Sequence, residues 1–101
     1  MRFQKGFAMK PFVKEIIAGM EKGWGACPKQ LVNALYEGSS TEPTACCAVG
    51  HYLLGSLGEV TLKASFKPET WSLLAKIVEL NNEQRMTTPE IIEWLKDQKY
   101  A

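Results

Sequence analysis

Thirteen consecutive residues in the middle of the chain, Ala45 to Leu57, carry no charge at neutral pH, and only His51, Tyr52 and Ser56 break their apolar or small character. A helix that is apolar on every side has to be surrounded by protein. The weakly polar run extends only to Gly58, short of the roughly 18 to 20 residues needed to span a bilayer. It therefore predicts a buried central helix rather than a membrane segment. Ala45, Ala48, Gly50 and Gly55 are small enough to let neighbouring backbones approach closely, Thr44 can cap the start, and Gly58 supplies a left-handed stop.

The rest of the chain has to cover that helix. At 101 residues and 46% hydrophobic content there is enough for one core and no room for two. From Pro11 to Lys22 the residues Phe12, Val13, Ile16, Ile17 and Met20 form one helical stripe, with Gly23 as its stop. Leu31, Val32 and Leu35 repeat at helical spacing after Pro28, which predicts a second helix capped by Cys27 and closed by Gly38. Gly38 to Pro43 is turn chemistry. Pro68 opens a further helix with the stripe Trp71, Leu74, Ile77 and Val78, ended by Asn81 and Asn82. The last helix starts at Thr87 or Thr88, where Thr87 and Glu90 have capping-box spacing; Ile91, Ile92, Trp94 and Leu95 form its inner face. Between Glu59 and Lys67, Val60, Leu62, Ala64 and Phe66 alternate with polar residues, so the segment reads as a strand whose partner would be the weakly alternating N-terminus; a loop with a helical turn is the rival reading. The expectation is a mainly α fold: one small helical domain over residues 11–101, of about four helices around a buried central one, with a short two-stranded element allowed. Residues 1–10 form a basic arm or short strand ahead of it.

Charge excludes some functions. Twelve basic and eleven acidic side chains leave a net charge of +1, and only two of the basic residues are Arg, so no overall field selects nucleic acid or an anionic membrane. Arg2, Lys5, Lys10, Lys14, Lys22 and Lys29 make the start of the chain basic, yet without a glycine-rich phosphate cradle or a DNA-reading helix; a solvated basic end is the simpler reading and nucleic-acid binding the weaker one. Three cysteines cannot form a closed disulfide set, and Cys46 and Cys47 are adjacent, which points to reduced thiols and a cytosolic setting. Charges through the first 22 residues argue against a secretory signal. No paired-carboxylate pattern, HExxH, GxSxG or P-loop is present, so no catalytic residue is assigned and no cofactor is implied.

What remains is a short set of candidates. Cys47 and His51 are four apart and share a helical face. With Cys27 they offer three soft metal ligands, or His51 could serve Cys47 as a base, helped by the first-turn dipole. Burial opposes both, and no CxxC pair or second His completes a tetrahedral set, so packed core is the simpler reading and no metal is assigned. Trp71 and Trp94 lie on apolar stripes and read as core. Trp24 stands between Gly23 and Gly25 outside any stripe, as a loop aromatic that contacts a partner would. Asn82 could orient a polar ligand or simply cap a helix.

The elements Gly23-Trp24, Cys46-Cys47-Ala48-Val49-Gly50-His51, and Leu80-Asn81-Asn82 followed by Thr87-Thr88-Pro89-Glu90 together resemble an uncharacterised family of small phage and actinobacterial proteins. The resemblance covers about residues 20 to 97. This chain departs from that family in its doubled cysteine and in having Asn82 where aspartate is frequent. The resemblance implies a helical fold and a phage or mobile-element origin. With no catalytic constellation, the expected function is a non-enzymatic interaction module that binds a host or phage protein, or a second copy of itself, through Trp24, Arg2, Lys5 and Lys10. The alternative is a metal or redox-thiol site using Cys27, Cys47 and His51.

Overall fold

A computed structural model describes residues 9–33, 36–62 and 66–97. The elements in chain order are α1 (Pro11–Ala26), β1 (Tyr36–Gly38), β2 (Pro43–Cys46), α2 (Ala48–Leu57), α3 (Pro68–Asn82) and α4 (Thr88–Lys96). The fold is mainly α with a short antiparallel hairpin, in which Tyr36 pairs with Cys46 and Glu37 with Ala45. Val13, Ile16 and Met20 of α1, Leu53 of α2, Ile77 of α3, and Ile91 and Leu95 of α4 meet in one core, all fully buried. No described helix is long and apolar enough to cross a membrane.

Several expected elements are placed differently. Gly23 does not stop α1, which continues to Ala26 with Cys27 as its C-cap. Among the described residues between Pro28 and Gly38 no helix forms, and Leu35 of the expected stripe lies outside the described residues. Residues 29–31 instead run alongside β2: the Cys46 amide donates to the Lys29 carbonyl (3.1 Å) and the Leu31 amide to the Cys46 carbonyl (2.8 Å). Backbone groups captured by a strand edge cannot form a helical ladder, and this overrides the apolar spacing. Among the described residues the two-stranded element lies within residues 36–46, flanking the Gly38–Pro43 turn. Val60, Thr61 and Leu62 form no strand; residues 63–65 and the arm residues 1–8 lie outside the described residues.

The central helix is shorter than expected because β2 takes its first residues. Cys47, not Thr44, is the N-cap, its Sγ accepting from the Gly50 amide at 3.4 Å, while Gly58 ends the helix in the left-handed region (φ 81°) as expected. Ala48 to Leu53 are all buried, whereas Ser56 and Leu57 reach solvent, so complete shelter holds for the first half only. Asn81 holds this start against α3: its Oδ1 accepts from the Ala48 amide (3.1 Å) and its Nδ2 donates to the Met86 carbonyl (2.8 Å). At α4 the capping box is complete, with Thr87 and Glu90 each bonding the other's backbone amide.

Helices α1 and α2 run antiparallel with their backbones touching. A Cβ on Gly23 would land on the His51 carbonyl, and one on Gly55 would land on the Gly19 carbonyl; one on Gly19 would strike the Ser56 hydroxyl and, at 2.9 Å, the Tyr52 ring. The small-residue reading of Gly55 is thus met, and the glycine read as a stop is a packing glycine. Gly25 has nothing within 4 Å of its would-be Cβ. Gly23→Ala should therefore lower the melting temperature by more than about 10 °C or abolish folding, since rigid backbone cannot yield. Gly25→Ala should stabilise by roughly 0.5–1 kcal/mol through helix propensity. Thermal melts of the two variants beside the wild type check both.

Candidate functional site

The C-terminus of α1, the last residue of β2 and the first turn of α2 converge on His51, which is 0% exposed. Its Nε2 lies 2.8 Å from the Cys27 carbonyl and its Nδ1 2.7 Å from the Thr88 hydroxyl. A carbonyl only accepts, so Nε2 carries the proton and Nδ1 accepts from Thr88; the ring is the neutral tautomer with both nitrogens satisfied. Trp24 packs its edge against the same ring at 5.1 Å between centroids. Thr88 is held in turn by its amide, which donates to Gln30 Oε1 at 2.8 Å.

The thiols gather around that ring in an unexpected combination. The sulfurs of Cys27 and Cys46 and a ring nitrogen of His51 all lie within 4.8 Å of one another, and all three residues are buried. Cys46 stands where the sequence pointed to Cys47. The reason is the strand: Cys46 is its last residue, with its backbone fixed by Lys29 and Leu31, while Cys47 turns its sulfur to the helix start as a cap. Cys27 donates its thiol hydrogen to the Pro43 carbonyl at 3.3 Å. Burial pushes the Cys46 thiol up to about 12, helped by the neighbouring Cys27 and Cys47. Burial also raises Cys47, despite the opposing bond from the Gly50 amide. Both shifts disfavour the thiolate at Cys46 and Cys47, the opposite of what activates a cysteine nucleophile.

The other sequence candidates are dispersed. Trp24 lies within helix α1 and is half-buried, not on a loop. Asn82 Oδ1 accepts from the Asn33 amide at 2.9 Å, which commits that oxygen to a contact within the chain. Lys10 is the exposed N-cap residue of α1; Arg2 and Lys5 lie outside the described residues. Residues the sequence reading missed are Cys46, Thr88 and Gln30, while Asn81 was read with Asn82 as a helix-ending polar pair. Cys46 carried a signal as a neighbour of a candidate.

A second region opens where α1 and α3 begin. Lys10, Phe12, Glu15, Tyr52, Phe66, Lys67 and Glu69 line a cleft of about 480 Å³. Beside it, sharing Glu15 and Tyr52, a shallower depression of about 370 Å³ runs along the α1–α2 groove to Lys22 and Ser56. From the floor a row of rings leads outward: Tyr52 to Phe66 at 5.9 Å, then Phe66 to Trp71 at 5.5 Å. Trp71 is 39% exposed and Val78, two turns on, 42% exposed, so two of the four residues expected on the inner stripe of α3 stand on its outside, while the other two, Leu74 and Ile77, face inward with Thr70, Leu73 and Leu80. No family model, curated protein or solved structure matches this chain.

Burial lowers the His51 pKa below its usual value, outweighing the bonds to the Cys27 and Lys29 backbone. The unfolded chain therefore binds a proton, near pH 6.5, that the folded chain rejects, and stability is complete above that pH and falls as pH drops below it. The loss should steepen toward about 1.4 kcal/mol per pH unit until the folded pKa is reached. His51 is the only histidine, so its ring signal in proton NMR reports alone: its titration midpoint should lie below that of a free histidine, and the melting temperature should decline as pH falls below about 6.5.

Proposed function

We propose that the protein is a non-enzymatic binding module, and that its recognition surface is the aromatic cleft between the starts of α1 and α3 together with the outer face of α3. The observation that carries this reading is the row of rings from buried Tyr52 through Phe66 to exposed Trp71. Protein interfaces concentrate energy in large aromatic anchors at the centre of a patch with polar groups at its rim. Here Lys10 and Lys67 face Glu15 and Glu69 around the cleft, so the rim bears both signs. The matching partner is a protein segment with a large apolar side chain for the cleft and charges of both signs flanking it. The resemblance to small phage proteins adds that such a segment belongs to a phage or host protein. The anchor accordingly moves from Trp24, whose ring is committed to His51, to Trp71.

Selection from a displayed random-peptide library on the immobilised protein tests this. The enriched peptides should share an aromatic or long aliphatic residue with charged neighbours. Trp71→Ala should weaken the best peptide at least tenfold, about 1.4 kcal/mol, with little change in melting temperature. Tyr36→Ala, an exposed aromatic on the hairpin, should leave the affinity unchanged. Sedimentation of the free protein identifies a second copy as the occupant if self-association is found and Trp71→Ala abolishes it. No consensus, or equal binding by the Trp71→Ala/Lys67→Glu double variant, would overturn the proposal.

A further inference from the structure

We infer that Cys27, Cys46 and His51 form a buried structural site for a thiophilic divalent cation, Zn2+ being the ion that fits best, with Cys47 outside it. The inference does not rest on the binding-module reading. Two sulfurs and an imidazole nitrogen within 4.8 Å of one another are close to a ligand set. Zn–S bonds of about 2.3 Å and Zn–N bonds of about 2.0 Å at tetrahedral angles separate ligand atoms by roughly 3.5–3.8 Å, so the cluster closes by a contraction of up to about 1.3 Å.

Charge selects the ion. Binding releases the two thiol protons to solvent, two S–Zn bonds replace two S–H bonds, and a neutral imidazole adds no charge. A divalent ion with two thiolates is then neutral overall, which a buried site tolerates, whereas a monovalent ion would leave one negative charge without a counterion. Metal-bound imidazoles characteristically keep a hydrogen bond on the nitrogen that does not bind. His51 is already held at both ends, so whichever nitrogen takes the ion, the other retains a partner, Thr88 or the Cys27 carbonyl. Cys27, Cys46 and His51 are at most 5% exposed, so the ion would clasp the end of α1, β2 and the start of α2; the cluster supplies three of four tetrahedral ligands, and a water or a backbone oxygen would complete the set.

The test is metal titration of the reduced protein. One Zn2+ per chain should bind with release of about two protons, raise the melting temperature by roughly 5 °C or more at saturation, and protect two of the three thiols from alkylation. Co2+ in its place should give a thiolate charge-transfer band. Cys27→Ser and Cys46→Ser should each weaken binding at least 100-fold. Cys47→Ser, which keeps an oxygen at the cap position, should bind within threefold of wild type. Circular dichroism confirms that each variant is folded, and proton release and thiol protection read the wild type alone should one not be. Absence of tight binding by the reduced wild type, a cobalt spectrum without thiolate character, or an equal loss in Cys47→Ser would overturn the site.

Discussion

The contact on which the other placements depend is backbone against backbone. Gly19 and Gly23 on α1 and Gly55 on α2 remove every Cβ from the seam, so the helices approach to where the Gly23 Cα faces the His51 carbonyl. Helical peptide groups already carry their own hydrogen bonds, and burying them this closely costs little desolvation while gaining dispersion over the length of the seam. At Gly23 and Gly55 the seam is backbone on backbone, with no side chain that could yield. The rotation and height of α2 relative to α1 are set, and everything at the start of α2 inherits that position.

What inherits it is a polar knot inside an apolar core. Residues 27–31 have no helix or named strand of their own, yet bonds to other segments hold them: Lys29 and Leu31 to the Cys46 backbone, the Cys27 carbonyl to His51, the Cys27 thiol to the Pro43 carbonyl, and the Gln30 side chain to the Thr88 amide. His51 is the centre of this arrangement because one ring reaches two separate elements, the end of α1 and the start of α4. Asn81 does the equivalent from α3, bonding the Ala48 amide and the Met86 carbonyl with its two amide atoms. A buried polar side chain left with one partner missing costs about 1–3 kcal/mol, so each of these residues specifies a single arrangement of the segments it joins.

The sequence made the local features legible and the long-range ones not. The stripes of α1 and α4, the Thr87–Glu90 box, the Gly58 stop and the buried character of residues 45–53 follow from spacing and caps within a dozen residues. The segment after Pro28 does not, because its helical spacing was overruled by a strand edge fifteen residues further on. Gly23 was readable as a stop or as a contact, and only the partner helix decides which. Trp71 and Val78 match the period of the inner stripe closely enough to join it on paper, but the buried side of α3 is centred on Leu73, Leu74 and Ile77. At the site, Cys27 and His51 were legible and the third member was off by one residue. A one-residue shift at the β2–α2 junction exchanges which sulfur faces the core, and the position of that junction is set by pairing with Tyr36 and Lys29, distant in sequence.

The seam also divides the molecule. Because α1 and α2 are antiparallel, the Gly23–His51 contact places the thiols and the imidazole at one end of the pair, and the start of α1 beside Tyr52 opens the aromatic cleft toward the other. At the first end the imidazole and the Cys27, Gln30 and Thr88 groups are bonded to one another; at the second, rings of graded exposure line the cleft beside charges of both signs. Contraction of the Cys27–Cys46–His51 cluster could not be met by sliding α2, since the glycine contacts interlock the two helices. It would be taken up by residues 27–31 and the β2 edge, the one part of the first end built from single hydrogen bonds rather than a packed seam. An ion held there would therefore tighten the hairpin and the end of α1 while leaving the shape of the cleft unaltered.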